Sequence, residues 1–197
     1  MAAAAVLVVA GYLVGAVPTG LVFGKLAGVD PRLIGSGRVG ATNTYRALGL
    51  PTSVAVAVID AAKGGVMAYL AIRFTRGELG VAAVVLATVV GQVYSVFLLA
   101  QGGRGIATSA GASLVLWPIA LVLSAALGVA AWRWGGRMVS VGSLAAAGTL
   151  PLWVYLVTGS LPRALFALLL GALLWWSHRD NLSRIRAGTE SRTGRAR

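Results

Sequence analysis

The chain has no cysteine and a single histidine. That excludes a disulfide scaffold and leaves no zinc or iron–sulfur centre of the usual nitrogen and sulfur ligands. Acidic residues are scarce as well: five Asp and Glu stand against 17 Lys and Arg, for a net charge of +12. Charge of either sign is thin, at 11% of the residues, less than half the share of an ordinary soluble domain. Most soluble enzyme classes are thereby set aside, and so is a disordered chain. What fills the 197 residues is apolar matter, 58% of the total, with a mean hydropathy of +0.85. The expectation is one integral membrane domain over residues 1–197, all-α.

Charge-free runs mark the spans. Met1–Gly24 is long enough to cross about 30 Å of hydrocarbon at 1.5 Å per residue. It lacks the basic start of a secretory signal, so it reads as a retained helix. Leu79–Gly103, Ile106–Trp132 and Met138–Pro162 are further charge-free runs, and 161–177 completes another span. Pro51–Ile72 is apolar apart from Asp60 and Lys63. Between the runs lie three polar islands. Lys25–Gly49 contains IGSGRVGATNTYR, Gln101–Thr108 reads QGGRGIAT, and the tail from His178 reads HRDNLSRIRAGTESR. Glycine-rich backbone beside a membrane must be buried in protein or face water, so a site belongs in these islands.

Arginine placement sets an orientation. Lys25, Arg32, Arg38 and Arg46 in the first island lie inside by the positive-inside rule, as do Arg179, Arg184, Arg186, Arg192, Arg195 and Arg197 in the tail. The weaker gap with Arg73, Arg76 and Glu78 lies outside. A single crossing by Ile106–Trp132 would put the basic tail outside. The run is too short for two full crossings, which need roughly 40 residues. Pro118 sits near its middle, where it disrupts a helix. Two short half-helices, about 106–116 and 118–132, that enter and return resolve the conflict. About seven transmembrane helical segments result, with the N-terminus outside and the C-terminus inside. The cationic gaps attract anionic headgroups or substrates. Nucleic acid is not an expected partner, because no basic module stands apart from the spans.

The islands carry the candidate chemistry. Ser36, Thr42, Asn43 and Arg46 stand among Gly35, Gly37 and Gly40. Glycines let backbone N–H groups approach an oxyanion, and hydroxyl, amide and guanidinium groups complete a phosphate nest. Gly102, Gly103, Arg104 and Gly105 directly precede a helix start, a position that favours an anion. His178 and Asn181 fall at helical spacing on one face, where an imidazole can orient a hydroxyl or accept its proton. Asp60 and Lys63, one turn apart in an apolar helix, form an intramembrane charge pair. Ser140 and Ser143 follow Arg137 and could line the same cavity.

These segments resemble a known family. IGSGRVGATNTYRALG, GQVYSVFLLAQGGRGIAT and HRDNLSRIRAGTESR are similar, in that order, to the three motifs of the bacterial acyl-phosphate-dependent glycerol-3-phosphate acyltransferases, the PlsY family. DAAKGG is similar to the family's Asp-x-x-Lys-Gly segment. The resemblance runs from Met1 to Arg192. It implies a seven-helix enzyme of the bacterial plasma membrane with its active site facing the cytoplasm. The implied reaction passes an acyl group from acyl phosphate to the 1-hydroxyl of glycerol 3-phosphate. It yields lysophosphatidic acid and phosphate, for phospholipid biosynthesis, with no cofactor and no metal. Glycerol 3-phosphate, acyl phosphate and membrane lipid are the implied partners, together with an upstream acyl-phosphate-forming enzyme. By position, Ser36 and Arg46 match the family's essential motif-one residues, and His178 and Asn181 those of motif three, which Glu190 closes. Gly102, Gly103 and Gly105 match the motif-two glycines.

The expected roles follow. Ser36, Arg46 and Arg104, helped by Gly37, Thr42, Asn43 and the motif-two glycines, hold phosphate. His178 and Asn181 position the glycerol hydroxyl. Asp60, Lys63, Ser140, Ser143 and Glu190 support the site. Direct transfer is expected, since no activated nucleophile is visible. The proton goes to His178 or to the departing phosphate. Several positions depart from the family pattern: Arg38 replaces Asn, Gln92 replaces His, Ser95 replaces Pro, and Gln101 and Arg104 replace Lys. Gln92 cannot titrate near neutral pH. A low-activity or regulatory paralogue is thus a second reading, and a transporter or binding protein for a phosphorylated anion a third. The short outer gaps and the absence of an inverted repeat speak against the transporter.

Overall fold

The computed structural model describes residues 2–193. Met1, at the head of the first apolar run, and Arg195 and Arg197 of the basic tail lie outside the described residues. Among those residues there are nine α-helices, two short 3-10 turns and no strand, so the all-α expectation holds. The chain folds into two compact units, Met1–Leu116 and Trp117–Arg197.

The first unit holds α1 (Ala2–Ala16), α2 (Thr19–Leu26), α3 (Ala41–Phe74), α4 (Gly77–Val93) and α5 (Ile106–Leu116). Small residues bring its helices together, as expected where lipid offers no hydrophobic drive for helix association. A Cβ on Gly15 would collide with the Thr88 carbonyl oxygen, and one on Gly91 with that of Tyr12, so α1 and α4 pack backbone to backbone. Gly64 against the Thr108 carbonyl and Gly111 against that of Ala61 do the same for α3 and α5. At one end, Met67, Ala71 and Val84 form a buried cluster, with Leu7, Val8 and Leu70 packed against it.

Three sequence expectations are corrected in this unit. The first apolar run is not one helix, because it breaks at Val17–Pro18, where proline cannot donate a helical hydrogen bond. The run Leu79–Gly103 is helical only to Val93. Beyond it a 3-10 turn over Val96–Leu98 leads the chain back, and Gly102 and Gly103 donate to the Val93 and Gln92 carbonyls at 3.2 and 2.8 Å. Arg46 lies in the first turns of α3 rather than in a loop. Gly40 caps that helix, and its interior break comes only at Gly49, whose φ of 80° suits glycine, just before Pro51.

The second unit holds α6 (Pro118–Trp134), α7 (Val139–Thr158), α8 (Leu161–Ser177) and α9 (Arg179–Arg186). The expected interruption at Pro118 is present: α5 ends at Leu116 and Pro118 opens α6 in its first turn, where its missing N–H costs nothing. Gly128 and Gly142 face each other across α6 and α7, each close enough that a Cβ would press on the other's carbonyl oxygen at 2.8 and 2.7 Å. Trp117 meets Phe166 edge to face, with ring centroids 5.1 Å apart.

Four stretches are long and apolar enough to cross a membrane: Ala3–Leu26, Ala41–Phe74, Gly77–Leu98 and Val139–Thr158. Leu161–Ser177 and Arg179–Arg186 are joined at a 57° bend and count as a fifth stretch only where the bent pair is taken as one span. Helices α5 and α6 are shorter apolar segments. The spans also expose large side chains such as Val9, Val58, Val66, Tyr69 and Leu168, as lipid-facing surfaces do.

Candidate active site

In the first unit, the loop before α3 is organised by one buried amide. Asn43 Nδ2 donates to the Pro31 and Ile34 carbonyls at 2.7 and 2.9 Å, and its Oδ1 accepts the Ser36 N–H at 3.0 Å. Arg46 Nη1 lies 3.5 Å from the same oxygen, at the outer limit of a hydrogen bond. Asn43 was expected to face phosphate. Its amide is instead fully engaged in folding the loop, and it acts by setting Ser36 beside Arg46. Gly35 must be glycine, since its φ is 56° and a Cβ would strike Asn43 Oδ1 at 2.6 Å and Arg46 Cδ at 2.9 Å. Further out, Arg32 grips Asp30 with Nη2 to Oδ2 at 2.6 Å. That side-chain bond, with the Arg32 backbone N–H, holds the Asp30 carboxyl at a pKa of about 2. Thr42 and Arg46 are exposed on the first turns of α3, and Ser36 is half-buried.

The second island touches the first at Gly40, where a Cβ would come within 3.9 Å of Gly103 Cα. Gly102 and Gly103 were expected to offer amides to phosphate. Their N–H groups are taken by the Val93 and Gln92 carbonyls, and their contribution is the close approach itself. A Cβ on Gly102 would collide with the Gln92 carbonyl oxygen. Gly105, at φ 79°, turns the chain into α5, with half-buried Arg104 just before it.

Asp60 and Lys63 do form a buried pair, at 2.7 Å, but in larger company. Lys63 Nζ also donates to the Val17 carbonyl and to Thr19 Oγ1, both at 2.6 Å, and to Gln92 Oε1 at 3.3 Å. Asp60 accepts from Thr19 Oγ1 at 2.8 Å and from Gln92 Nε2 at 2.9 Å. The carbonyl exposed by the break before Pro18 is thus satisfied by a lysine 46 residues away. Thr19 and Gln92 were not expected as members; Gln92 stood out only as a departure from the family pattern, and Thr19 not at all. The hydroxyls of Thr108, Ser109 and Ser113 on α5 are buried without a hydrogen-bond partner among the described residues.

In the second unit, His178 is not on a continuous helix with Asn181. It closes α8 and opens α9 at the bend. Its Nδ1 lies 2.8 Å from the Leu174 carbonyl oxygen and 3.2 Å from Ser177 Oγ. A neutral ring that donates Nδ1–H to Leu174 carries its lone pair on Nε2. Glu190 gathers the rest: Oε1 accepts from Asn181 Nδ2 at 2.6 Å and Ser140 Oγ at 2.7 Å, and Oε2 from Arg184 Nε at 2.8 Å. Burial raises the Glu190 pKa, but the bonds from Asn181, Ser140 and Arg184 outweigh it and leave it below the ordinary glutamate value. Asn181 Oδ1 is buried with no hydrogen-bond partner among the described residues. Ser143 is half-buried one turn beyond Ser140. No cluster of three or more His, Asp or Glu able to hold a metal occurs among the described residues.

Comparison with known proteins then decides the family. A family model described as glycerol-3-phosphate acyltransferase matches residues 5–188. The chain belongs to the glycerol-3-phosphate acyltransferase family. The acyltransferase of Trichlorobacter lovleyi is 41% identical over 184 residues, covering 92% of this chain and 93% of its own. That of Thermus thermophilus is 38% identical over 187 residues, covering 93% and 92%. Among solved structures, PlsY (YgiH), described as an integral membrane glycerol 3-phosphate acyltransferase, matches in its glycerol 3-phosphate form. The TM-score is 0.91 and the identity 35%, over 97% of this chain and 96% of that one. Its lysophosphatidic acid form matches with a TM-score of 0.89. The family-model match runs through both compact units and the first two motifs and ends within the third, and the protein is a multi-pass membrane protein.

Proposed function

We propose that the protein transfers an acyl group from acyl phosphate to the 1-hydroxyl of glycerol 3-phosphate. The glycerol oxygen forms a bond to the acyl carbon, and the bond from that carbon to the phosphate oxygen breaks. Lysophosphatidic acid and inorganic phosphate leave. The observation that carries this reading is the likeness, over 97% of the chain, to a relative solved in its glycerol 3-phosphate form.

The residues supply the parts in chemical terms. Arg46 and Arg104 offer planar guanidinium forks to phosphate oxygens. Ser36 and Thr42 add hydroxyls, and the α3 N-terminus adds a favourable dipole. Asn181 Oδ1, buried and without a partner among the described residues, accepts a hydrogen bond from the glycerol hydroxyl. His178 Nε2 takes the proton as the new ester bond forms. Glu190 orients Asn181, and Ser140 and Arg184 hold Glu190. Proximity and a good leaving group supply much of the rate. Residues 1–197 are one acyltransferase domain, with the C-terminus and the reactive groups on the cytoplasmic side of a bacterial plasma membrane. An acyl-phosphate-forming enzyme supplies the donor.

The test is donor choice. Purified protein in detergent is given glycerol 3-phosphate with either acyl phosphate or acyl-CoA. Lysophosphatidic acid is expected from the first alone. Comparable turnover of acyl-CoA without turnover of acyl phosphate contradicts the reading.

A further inference from the structure

Gln92 stands between two features described above, and its contacts on both sides are unusually complete. On one side its amide bridges the buried ion pair, with Oε1 3.3 Å from Lys63 Nζ and Nε2 2.9 Å from Asp60 Oδ2. Donor and acceptor ends are both engaged, so the amide has one satisfied orientation. Asp60, Lys63, Gln92 and Thr19 are each at least nine-tenths buried. Leaving one of these groups unpaired there is costly, which fixes the geometry of all four.

On the other side Gln92 brackets the glycine turn. Its carbonyl accepts the Gly103 N–H at 2.8 Å and excludes any side chain at Gly102. Its amide nitrogen lies 3.0 Å from where a Cβ on Gly103 would be. Gly103 in turn abuts Gly40, the N-cap of the helix that carries Thr42 and Arg46. A chain of contacts therefore runs from the ion pair, through one residue, to both glycine-rich islands.

We infer that Gln92 is a positioning residue that holds the 102–105 turn in register through its amide bridge to Asp60 and Lys63. It does not touch substrate. Its effect is to set where Arg104 and the adjoining Gly40 cap stand. The kinetic part of this inference rests on the proposed reaction, while the structural part does not.

The test uses full-length protein in detergent with two variants. Gln92→Leu removes both polar atoms. Gln92→Glu keeps size and acceptor but turns an oxygen toward Asp60, so one variant remains informative should the other fail to fold. Hydrogen exchange of peptides spanning 99–106 is expected to quicken on the order of tenfold, as expected when a bond to a buried charged group is lost. Peptides from α6 to α8 should keep their wild-type rates. KM for glycerol 3-phosphate should rise about tenfold with kcat within about threefold, the pattern of weakened ground-state binding. Wild-type exchange at 99–106 in a folded variant overturns the inference, and so does quickening by the same factor throughout the chain. Absence of acyl transfer in the wild type would instead defeat the proposed reaction, and the exchange result would still stand.

Discussion

Asn181 Nδ2 donates to Glu190 Oε1 at 2.6 Å, and this one bond decides which end of the Asn181 amide remains to act. The nitrogen is held, and the buried oxygen is left without a partner among the described residues. Replacement by aspartate keeps the shape but sets a carboxylate oxygen against Glu190. Asn181→Asp should lower kcat/KM at least a hundredfold, roughly the 3 kcal/mol upper value of a charged hydrogen bond. Glu190→Gln should be milder, because a glutamine oxygen can still accept from Asn181. Steady-state kinetics on both variants, with circular dichroism to confirm helix content, checks the order.

Acid stability follows from the same carboxylate. The folded-state pKa of Glu190 lies below its ordinary value of 4.5. Its contribution is therefore fully present above that value and is lost as pH falls below it toward the folded-state pKa. The wild-type melting temperature should fall below pH 4.5 more steeply than that of Glu190→Gln. Parallel curves in a detergent melting series would show that the clasp adds nothing.

The uninterrupted helices were legible in the sequence, and the residues that join them were not. Helices α7 and α8 begin and end close to the expected bounds, because Gly, Pro and Arg punctuate their apolar runs. The break around Trp117 was legible from run length and Pro118. Pro18 went unread as a break because it sits in a charge-free run, where hydropathy registers no change. The return of the chain after Val93 was hidden in the same way. Ser36, Arg46, His178 and Asn181 stood out by type and motif, yet the bond from Ser140 to Glu190 spans 50 residues, which no local pattern marks. The use of Asn43 and of the Gly102 and Gly103 amides for folding was equally invisible, since loop-building and phosphate-binding employ the same residue types.

Phosphate gripping can be separated from simple charge by two lysine substitutions. Arg46→Lys keeps the charge but loses the paired bonds of the guanidinium fork. It should cost roughly tenfold to a hundredfold in kcat/KM. Arg104→Lys should cost less, since Lys is what the family resemblance places there. Small and equal effects, measured in one assay, would reduce Arg46 to an orienting charge.

Topology is open to cysteine labelling, because the chain has no native cysteine to give background. Exposed positions serve best. Gln101→Cys and Ser191→Cys should react from the cytoplasmic side, and Arg76→Cys from outside. Reaction of Ser191→Cys from outside overturns the odd number of crossings.

The most direct measurement follows the reacting oxygen. Purified protein is given acyl phosphate and glycerol 3-phosphate labelled with heavy oxygen in its 1-hydroxyl. Attack of the glycerol oxygen on the acyl carbon predicts one lysophosphatidic acid per phosphate released, with the label retained in the ester oxygen and absent from the phosphate. Release of phosphate without lysophosphatidic acid, or label appearing in the phosphate, contradicts the account.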